Sequence, residues 1–289
     1  MKRPARSRSA DTVVRHLVEL EDAQARGKAS PFVGRDHEVA TLDRLLDDAG
    51  DGRGRVVLVS GEAGIGKSRL ATEVAAHARR RGFSAAWGRT WESGGAPPYW
   101  PWVEVLRRMV ADTPRLAVPS ALEPLVSGDA TARTNPVESQ LGGGGTDRFQ
   151  IIDAIAATIR SAAEEAPRLL VLEDLHAADH PTILALRFLA RNIEGSRALV
   201  LATYREVELR ASESAALMNE LARDAEHISL GRLGEADLAT LIDELLDGSL
   251  RRLEASEQRK LIGGIYERSQ GIPLFVREIT RLLRAACTD

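Results

Sequence analysis

Cysteine is nearly missing from this sequence: one residue in 289, Cys287, the third from the C-terminus. A single thiol can form neither a disulfide framework nor a multi-cysteine metal site within the chain, and the scarcity fits a reducing compartment. Aromatics are also sparse, at 4%. No apolar run approaches the roughly 18 residues needed to cross a bilayer. The opening Met1-Lys2-Arg3-Pro4-Ala5-Arg6 is basic, but no apolar stretch follows it, so it lacks the pattern of a secretory signal. Neither sign of charge dominates; the net charge is −3, which argues against a surface built for nucleic acid. These absences lead us to expect a soluble, cytoplasmic chain with no membrane contact and no direct nucleic-acid binding. What is present is ordinary globular composition, 44% apolar and 28% charged, enough for a buried core.

Residues 1–30 read as a charged leader, in which Val14, Leu17, Val18 and Ala25 permit a short amphipathic helix around 11–26. From Pro31 onward helix and strand patterns alternate. Leu42, Leu45 and Leu46 mark a helix that stops near Gly50-Asp51-Gly52. Val56-Val57-Leu58-Val59 is a continuous apolar run of the kind expected in a strand buried on both faces. A helix over Lys67–Arg81, a strand over Ser84–Trp87 and a helix across 149–165 follow. Then come a strand over Leu169–Leu172, a helix over about 182–193 and a strand from Ala198 to Thr203. Such alternation predicts a mainly parallel sheet covered on both faces. Residues 112–147, with four prolines and the tract Gly142–Gly145, read as a flexible insertion with at most short helices. After Gly231 the strand patterns cease and several helices are expected, so the predicted organisation is an extension at 1–30, a core at 31–231 and a helical lid at 232–289.

The segment Gly61-Glu62-Ala63-Gly64-Ile65-Gly66-Lys67-Ser68 matches the pattern G-x-x-x-x-G-K-[ST]. Glycines at these spacings let the backbone wrap a phosphate so that successive N–H groups point inward. The helix that begins at Lys67 adds the positive end of its dipole. Lys67 is expected on the β- and γ-phosphates, the Ser68 hydroxyl on Mg²⁺, and Arg69 in the nucleotide contact set. Chance produces such a match in roughly one chain of this length in a hundred. Here it also follows a strand and opens a helix, so a merely structural glycine turn is the weaker reading.

Over a hundred residues later, Leu169-Leu170-Val171-Leu172 ends in Glu173-Asp174. In P-loop NTPases a strand beside the loop supplies one carboxylate to Mg²⁺ and often another to the attacking water. By position Glu173 takes the metal role and Asp174 the water-activating role, although the extra methylene of Glu leaves the two open to exchange or sharing. Thr203-Tyr204-Arg205 closes the next strand, and the residues alone leave two readings of Arg205 open: a γ-phosphate contact through bidentate hydrogen bonds, or a surface arginine in the strand-to-loop turn. His176 has no second histidine at metal-ligand spacing, so a structural hydrogen-bonding role is expected for it.

Several motifs together resemble one family, the STAND class of signalling P-loop ATPases, and most closely the module of large ATP-binding LuxR-type regulators. Phe32-Val33-Gly34-Arg35-Asp36-His37-Glu38 is similar to the class's N-terminal motif, with Asp36 for the usual first Glu. The resemblance places Val33, Gly34 and Arg35 beside the adenine and ribose. Ala96-Pro97-Pro98-Tyr99-Trp100-Pro101-Trp102 matches a segment typical of the LuxR-type subgroup. All four tryptophans (87, 91, 100 and 102) fall in this neighbourhood, which suggests a packed aromatic cluster. Leu172–Asp179 resembles the extended acidic motif, with Ala177 where Trp is usual. Gly271-Ile272-Pro273-Leu274-Phe275 resembles the lid motif whose proline, here Pro273, contacts the base.

The resemblance implies a P-loop NTPase three-layer sandwich with a parallel sheet, followed by a small all-helical lid. It implies ATP or ADP with Mg²⁺, slow hydrolysis, and a switch in a signalling or transcriptional regulator. Family members usually continue into further effector domains, so the expectation is a piece of a larger regulator or a chain that acts through a protein partner. Two other readings compete. One is an AAA+-type motor or loader acting as a nucleotide-dependent oligomer on DNA or protein, with Arg187 or Arg191 acting in trans. The other is an ATPase module associated with a nucleotide cyclase.

Overall fold

The structure is a computed structural model and describes residues 31–91, 96–126 and 145–286. The helix expected at 11–26, Cys287 and half of the 112–147 insertion (127–144) lie outside these residues.

Five strands form one parallel sheet in the order β2-β3-β4-β1-β5. They are β1 (Arg55–Gly61), β2 (Ser84–Arg89), β3 (Arg168–Glu173), β4 (Ala198–Tyr204) and β5 (Glu226–Leu230). The sheet pairs Leu58 with Ala202 across β1 and β4, and Leu172 with the same Ala202 across β3 and β4. Three strand tips therefore end at one level. Because successive side chains of a strand point to opposite faces, each inner strand serves two cores. Val56 and Leu58, with Leu170, Leu172, Val200 and Ala202, pack one way. Val57 and Val59, with Leu169, Val171, Leu199 and Leu201, pack the other. Every residue of β3 and β4 is buried, which is why both read as continuous apolar runs.

One face is covered by α1 (Asp36–Gly50) and α2 (Lys67–Arg80). The opposite face carries α3 (Trp100–Asp112), α5 (Gly145–Glu165), α6 (His180–Asn192) and α8 (Ala215–Leu221); the short α4 (Glu123–Val126) and α7 (Glu206–Arg210) each contribute one buried leucine there. The result is the three-layer α/β sandwich of P-loop NTPases. After β5 come α9 (Glu235–Leu245), α10 (Ala255–Ser269) and α11 (Pro273–Ala286). These helices bury a separate cluster centred on Leu238, Leu241, Ile242, Ile265 and Val276. Among the described residues, no helix is long and apolar enough to cross a membrane.

The structure departs from the sequence expectations in four places. Strand β5 was not foreseen: it is an edge strand of alternating burial, Glu226-His227-Ile228-Ser229-Leu230, too short and too polar to read as a core run. Helices α3, α7 and α8 were also missed. The strand order, with β4 between β1 and β3, was not foreseen either. The tryptophans do not form one cluster. Strand alternation sends Trp87 to the α1/α2 face, Trp102 is fully buried on the other, and Trp91 is 61% exposed.

The α3–α6 junction shows how one acidic side chain sets a local geometry. Asp179 caps α6 by accepting from the Thr182 N–H at 2.6 Å, and its other oxygen accepts from the Tyr99 N–H at 3.0 Å. Tyr99 sits at a φ of 62°, immediately before α3, and the Trp102 indole donates to the Thr182 carbonyl at 3.1 Å. Asp179→Ala removes a helix cap and a second hydrogen bond, which should cost about 2 kcal/mol. Thermal denaturation should report this as a Tm lower by roughly 5 °C.

Candidate functional site

The loop Gly61–Ser68 joins the C-terminal end of β1 to α2. Gly64 and Gly66 occupy left-handed backbone, with φ of 74° and 105°, and so turn the loop back on itself. Gly66 is the N-cap of α2 and provides no side-chain cap; the first turn of that helix contains no acidic residue. The free N–H groups and positive dipole end of α2 are thus left without a negative side chain of the helix's own. At its far end His77, Arg79 and Arg80 complement the dipole.

Lys67 is only 7% exposed. Its ammonium donates to the carbonyls of Gly61 at 2.9 Å and Glu62 at 3.0 Å, closing the loop around it. Burial lowers its pKa from the ordinary value and Arg205 pushes the same way, while Asp174 and Glu208 act in the opposite direction. The ends of β1, β3 and β4 therefore bring Lys67, Asp174 and Arg205 into one electrostatic neighbourhood. Ser68 is exposed on the first turn of α2. Arg69 pairs with Glu73 at 2.8 Å and lies over the Phe32 ring at 4.9 Å.

Glu173 is buried at the end of β3, and one of its oxygens accepts from Arg89 on β2 at 2.7 and 3.1 Å. Asp174 follows in left-handed backbone, φ 61°, a conformation Asp tolerates better than most residues. Its N–H donates to the Thr203 hydroxyl at 3.2 Å, tying the β3 tip to β4. Its carbonyl accepts from the Thr90 hydroxyl at 2.6 Å. Arg205 is the N-cap residue of α7; its side chain makes no capping bond but donates to both oxygens of Glu208, at 3.0 and 3.2 Å.

The segment expected beside the base is in contact with both the loop and the C-terminal helices. The Arg35 guanidinium is buried, donating to the Ile65 carbonyl at 3.3 Å and the Gly231 carbonyl at 2.6 Å. Val33 packs against the core of the C-terminal helices. Gly34, at φ 67°, meets Asp237 of α9 so closely that a Cβ would lie 2.6 Å from its carboxyl carbon. Pro273 opens α11, and the next residue, Leu274, donates its N–H to the Gly64 carbonyl at 3.2 Å. Arg232 pairs with Glu62 at 3.0 Å.

The residues named for action in trans, Arg187 and Arg191, pair with Glu220 at 2.5 Å and Asp224 at 2.7 Å of the same chain. Sequence reasoning missed Arg89, Glu208 and Arg232. Only Arg89 had a readable signal, as the residue two beyond the last strand position assigned to β2.

The donors fit a magnesium ion in kind. A hydroxyl, Ser68, and two carboxylates, Glu173 and Asp174, are hard oxygen donors of the kind that Mg²⁺ takes. Among the described residues there is no cluster of three or more His, Cys, Asp or Glu able to hold a metal, so the protein would supply only part of the coordination, as is usual for Mg²⁺ bound with a phosphate.

Residues 31–202 match the family model described as an AAA ATPase domain. The chain belongs to the AAA ATPase domain family. Its fold is similar to that of the ORC2 protein of Aeropyrum pernix, solved in ADPNP-ADP complexes, with a TM-score of 0.55 and 17% identity. That alignment covers 88% of this chain and 62% of the other. The ADP form of the same protein superposes equally, covering 90% of this chain and 64% of that one. A segment of 67 residues is 39% identical to an uncharacterized protein of Rhizobium meliloti (strain 1021), covering 23% of this chain and 6% of that protein. This AAA ATPase chain thus spans less than two thirds of the length of each of these relatives.

Proposed function

We propose that this AAA ATPase domain is an ATP-binding, slowly hydrolysing, Mg²⁺-dependent switch module of a signalling or transcriptional regulator, as its likeness to STAND-class and LuxR-type modules implies. The observation that carries this reading is the direct docking of the C-terminal helices on the phosphate loop. Gly64 touches Leu274, Glu62 pairs with Arg232, and Arg35 spans from the loop carbonyl of Ile65 to Gly231, the last residue before the helical unit. We take residues 31–231 as the core and 232–289 as a lid. A loop that adjusts to a γ-phosphate must then displace or tighten its contacts with the lid, which is how a local charge event becomes a change in packing.

In this reading Lys67 and Arg205 bind the terminal phosphates. Ser68 and Glu173 hold the magnesium ion, with Asp174 orienting the attacking water. Val33, Gly34, Arg35, Arg69 and Pro273 shape the nucleotide side of the cleft, with Arg35 acting through the loop it braces. The metal, when bound, neutralises charge on the β- and γ-phosphates. The pairing of Arg89 with Glu173 holds that carboxylate in one orientation.

Hydrogen exchange tests the coupling. Amides of α9 to α11 should differ in protection between ADP and a nonhydrolysable ATP analogue, with the protein monomeric in both. Gly64→Ala should erase most of that difference, because a methyl there meets the Leu274 Cβ at 2.8 Å and the backbone at φ 74° costs a non-glycine residue about 1–2 kcal/mol. Equal lid protection in the two nucleotides would overturn the switch. Assembly only with the ATP analogue would favour the motor or loader reading.

A further inference from the structure

The arginine at the tip of β4 already has an anionic partner of its own. Arg205 Nη1 lies 3.0 and 3.2 Å from the two oxygens of Glu208, one helical turn further along α7. That carboxylate has a second neighbour. His176, on the 3₁₀ turn Leu175–Ala177 just after Asp174, brings Nε2 to 2.9 Å from Glu208 Oε2. The His176 side chain is 4% exposed, whereas that of Glu208 is 47% exposed. A buried imidazole thus lies beside a carboxylate at the rim of the site, and the carboxylate faces the guanidinium. Two segments meet here, the turn after β3 and the helix after β4, which are the two strands whose tips carry the acidic pair and the arginine.

We propose that Glu208 is a specificity-determining positioning residue, which competes with the γ-phosphate for Arg205 and so sets how strongly the site prefers a triphosphate over a diphosphate. The proposal rests on the reading that Arg205 contacts the γ-phosphate. A guanidinium donates in one plane and in fixed directions, so Nη1 turned onto the Glu208 carboxylate is not at the same time directed at a phosphate oxygen. Only a ligand bearing a γ-phosphate offers Arg205 an anion in exchange. A diphosphate leaves the Arg205–Glu208 pair intact, so the competition affects one nucleotide and not the other. The electrostatics agree: Arg205 and Glu208 act on Lys67 with opposite signs, which places the pair within range of the loop. Glu208, rather than Glu206 of the same helix, is the relevant carboxylate; Glu206 pairs with Arg210 at 3.4 Å.

Titration calorimetry on the full chain, with ADP and with a nonhydrolysable ATP analogue, tests this. Glu208→Gln keeps the side-chain volume at an exposed position and removes the competing charge. It should tighten the analogue by about tenfold, the scale of one charge-assisted hydrogen bond, and change ADP affinity by less than about twofold. Glu206→Gln removes the same charge nearby and should change neither. Unchanged or weaker analogue binding in Glu208→Gln would overturn the proposal. So would equal tightening of ADP and the analogue, since that is the signature of lost general repulsion. Arg205→Ala separates this proposal from the reading beneath it. If Arg205→Ala keeps the wild-type preference for the analogue, Arg205 is no γ-phosphate contact and both ideas fall. If it lowers the preference while Glu208→Gln leaves it unchanged, only the competition fails. In the Arg205→Ala background, Glu208→Gln should have no further effect on the preference.

Discussion

Lys67→Ala should lose nucleotide affinity by about a hundredfold or more, with the fold intact. The ammonium is buried beneath the loop and holds the Gly61 and Glu62 carbonyls. Alanine therefore removes a phosphate-binding charge and also leaves the loop without the donor that closes it. Charge-assisted hydrogen bonds contribute about 1.5–3 kcal/mol each, and two lost together reach the hundredfold scale. Lys67→Arg should not rescue binding. A planar guanidinium is broader than an ammonium and cannot occupy a 7% exposed position between two carbonyls about 3 Å away without opening the loop. Calorimetric titration of ADP and an ATP analogue, alongside a circular-dichroism melt, checks both variants. Nucleotide affinity within about twofold of wild type in Lys67→Ala would remove the basis of the ATPase reading.

Asp174→Asn is expected to leave nucleotide binding nearly unchanged and to lower the hydrolysis rate by about 10²–10⁴-fold, the range of a lost general base. Asn is a sensitive test here because it too accepts left-handed backbone, so the φ of 61° and the N–H bond to Thr203 are retained while the basic oxygen is lost. Glu173→Gln differs in kind. It removes the charge that the Arg89 guanidinium faces at 2.7 Å in a buried position, so both metal-dependent binding and stability should suffer. Phosphate-release assays combined with Mg²⁺-dependent binding distinguish the two. If Asp174→Asn loses Mg²⁺-dependent binding instead, the roles of the two carboxylates are exchanged.

Much of this molecule was readable one residue at a time. The apolar runs at 56–59, 169–172 and 198–203 are short-range patterns. A strand buried on both faces must be apolar at every position, so β1, β3 and β4 declare themselves locally, and the parallel α/β sheet follows from their alternation with helices. The phosphate loop is equally local. Gly64 and Gly66 are needed where the backbone turns left-handed, and Lys67 opens the helix whose N-terminus the loop presents. β5 was invisible for the complementary reason: an edge strand needs apolar residues at only two of its five positions.

What no sequence pattern could settle is which tips meet. Strand β4 lies between β1 and β3, and that order brings Arg205 within electrostatic reach of Lys67 and Thr203 against Asp174. The contacts that give the site its electrical balance span long stretches of chain. Arg89 reaches Glu173 across 84 positions, Arg232 reaches Glu62 across 170, and Arg35 reaches Gly231 across 196. Even Glu208, three residues from Arg205, acquires its second partner only because the turn carrying His176 packs against α7. Backbone conformation and side-chain periodicity are encoded within a few residues and so are legible in the sequence. The partner of a charge depends on how sheet order and helix docking fold distant segments together, and only the tertiary structure decides it.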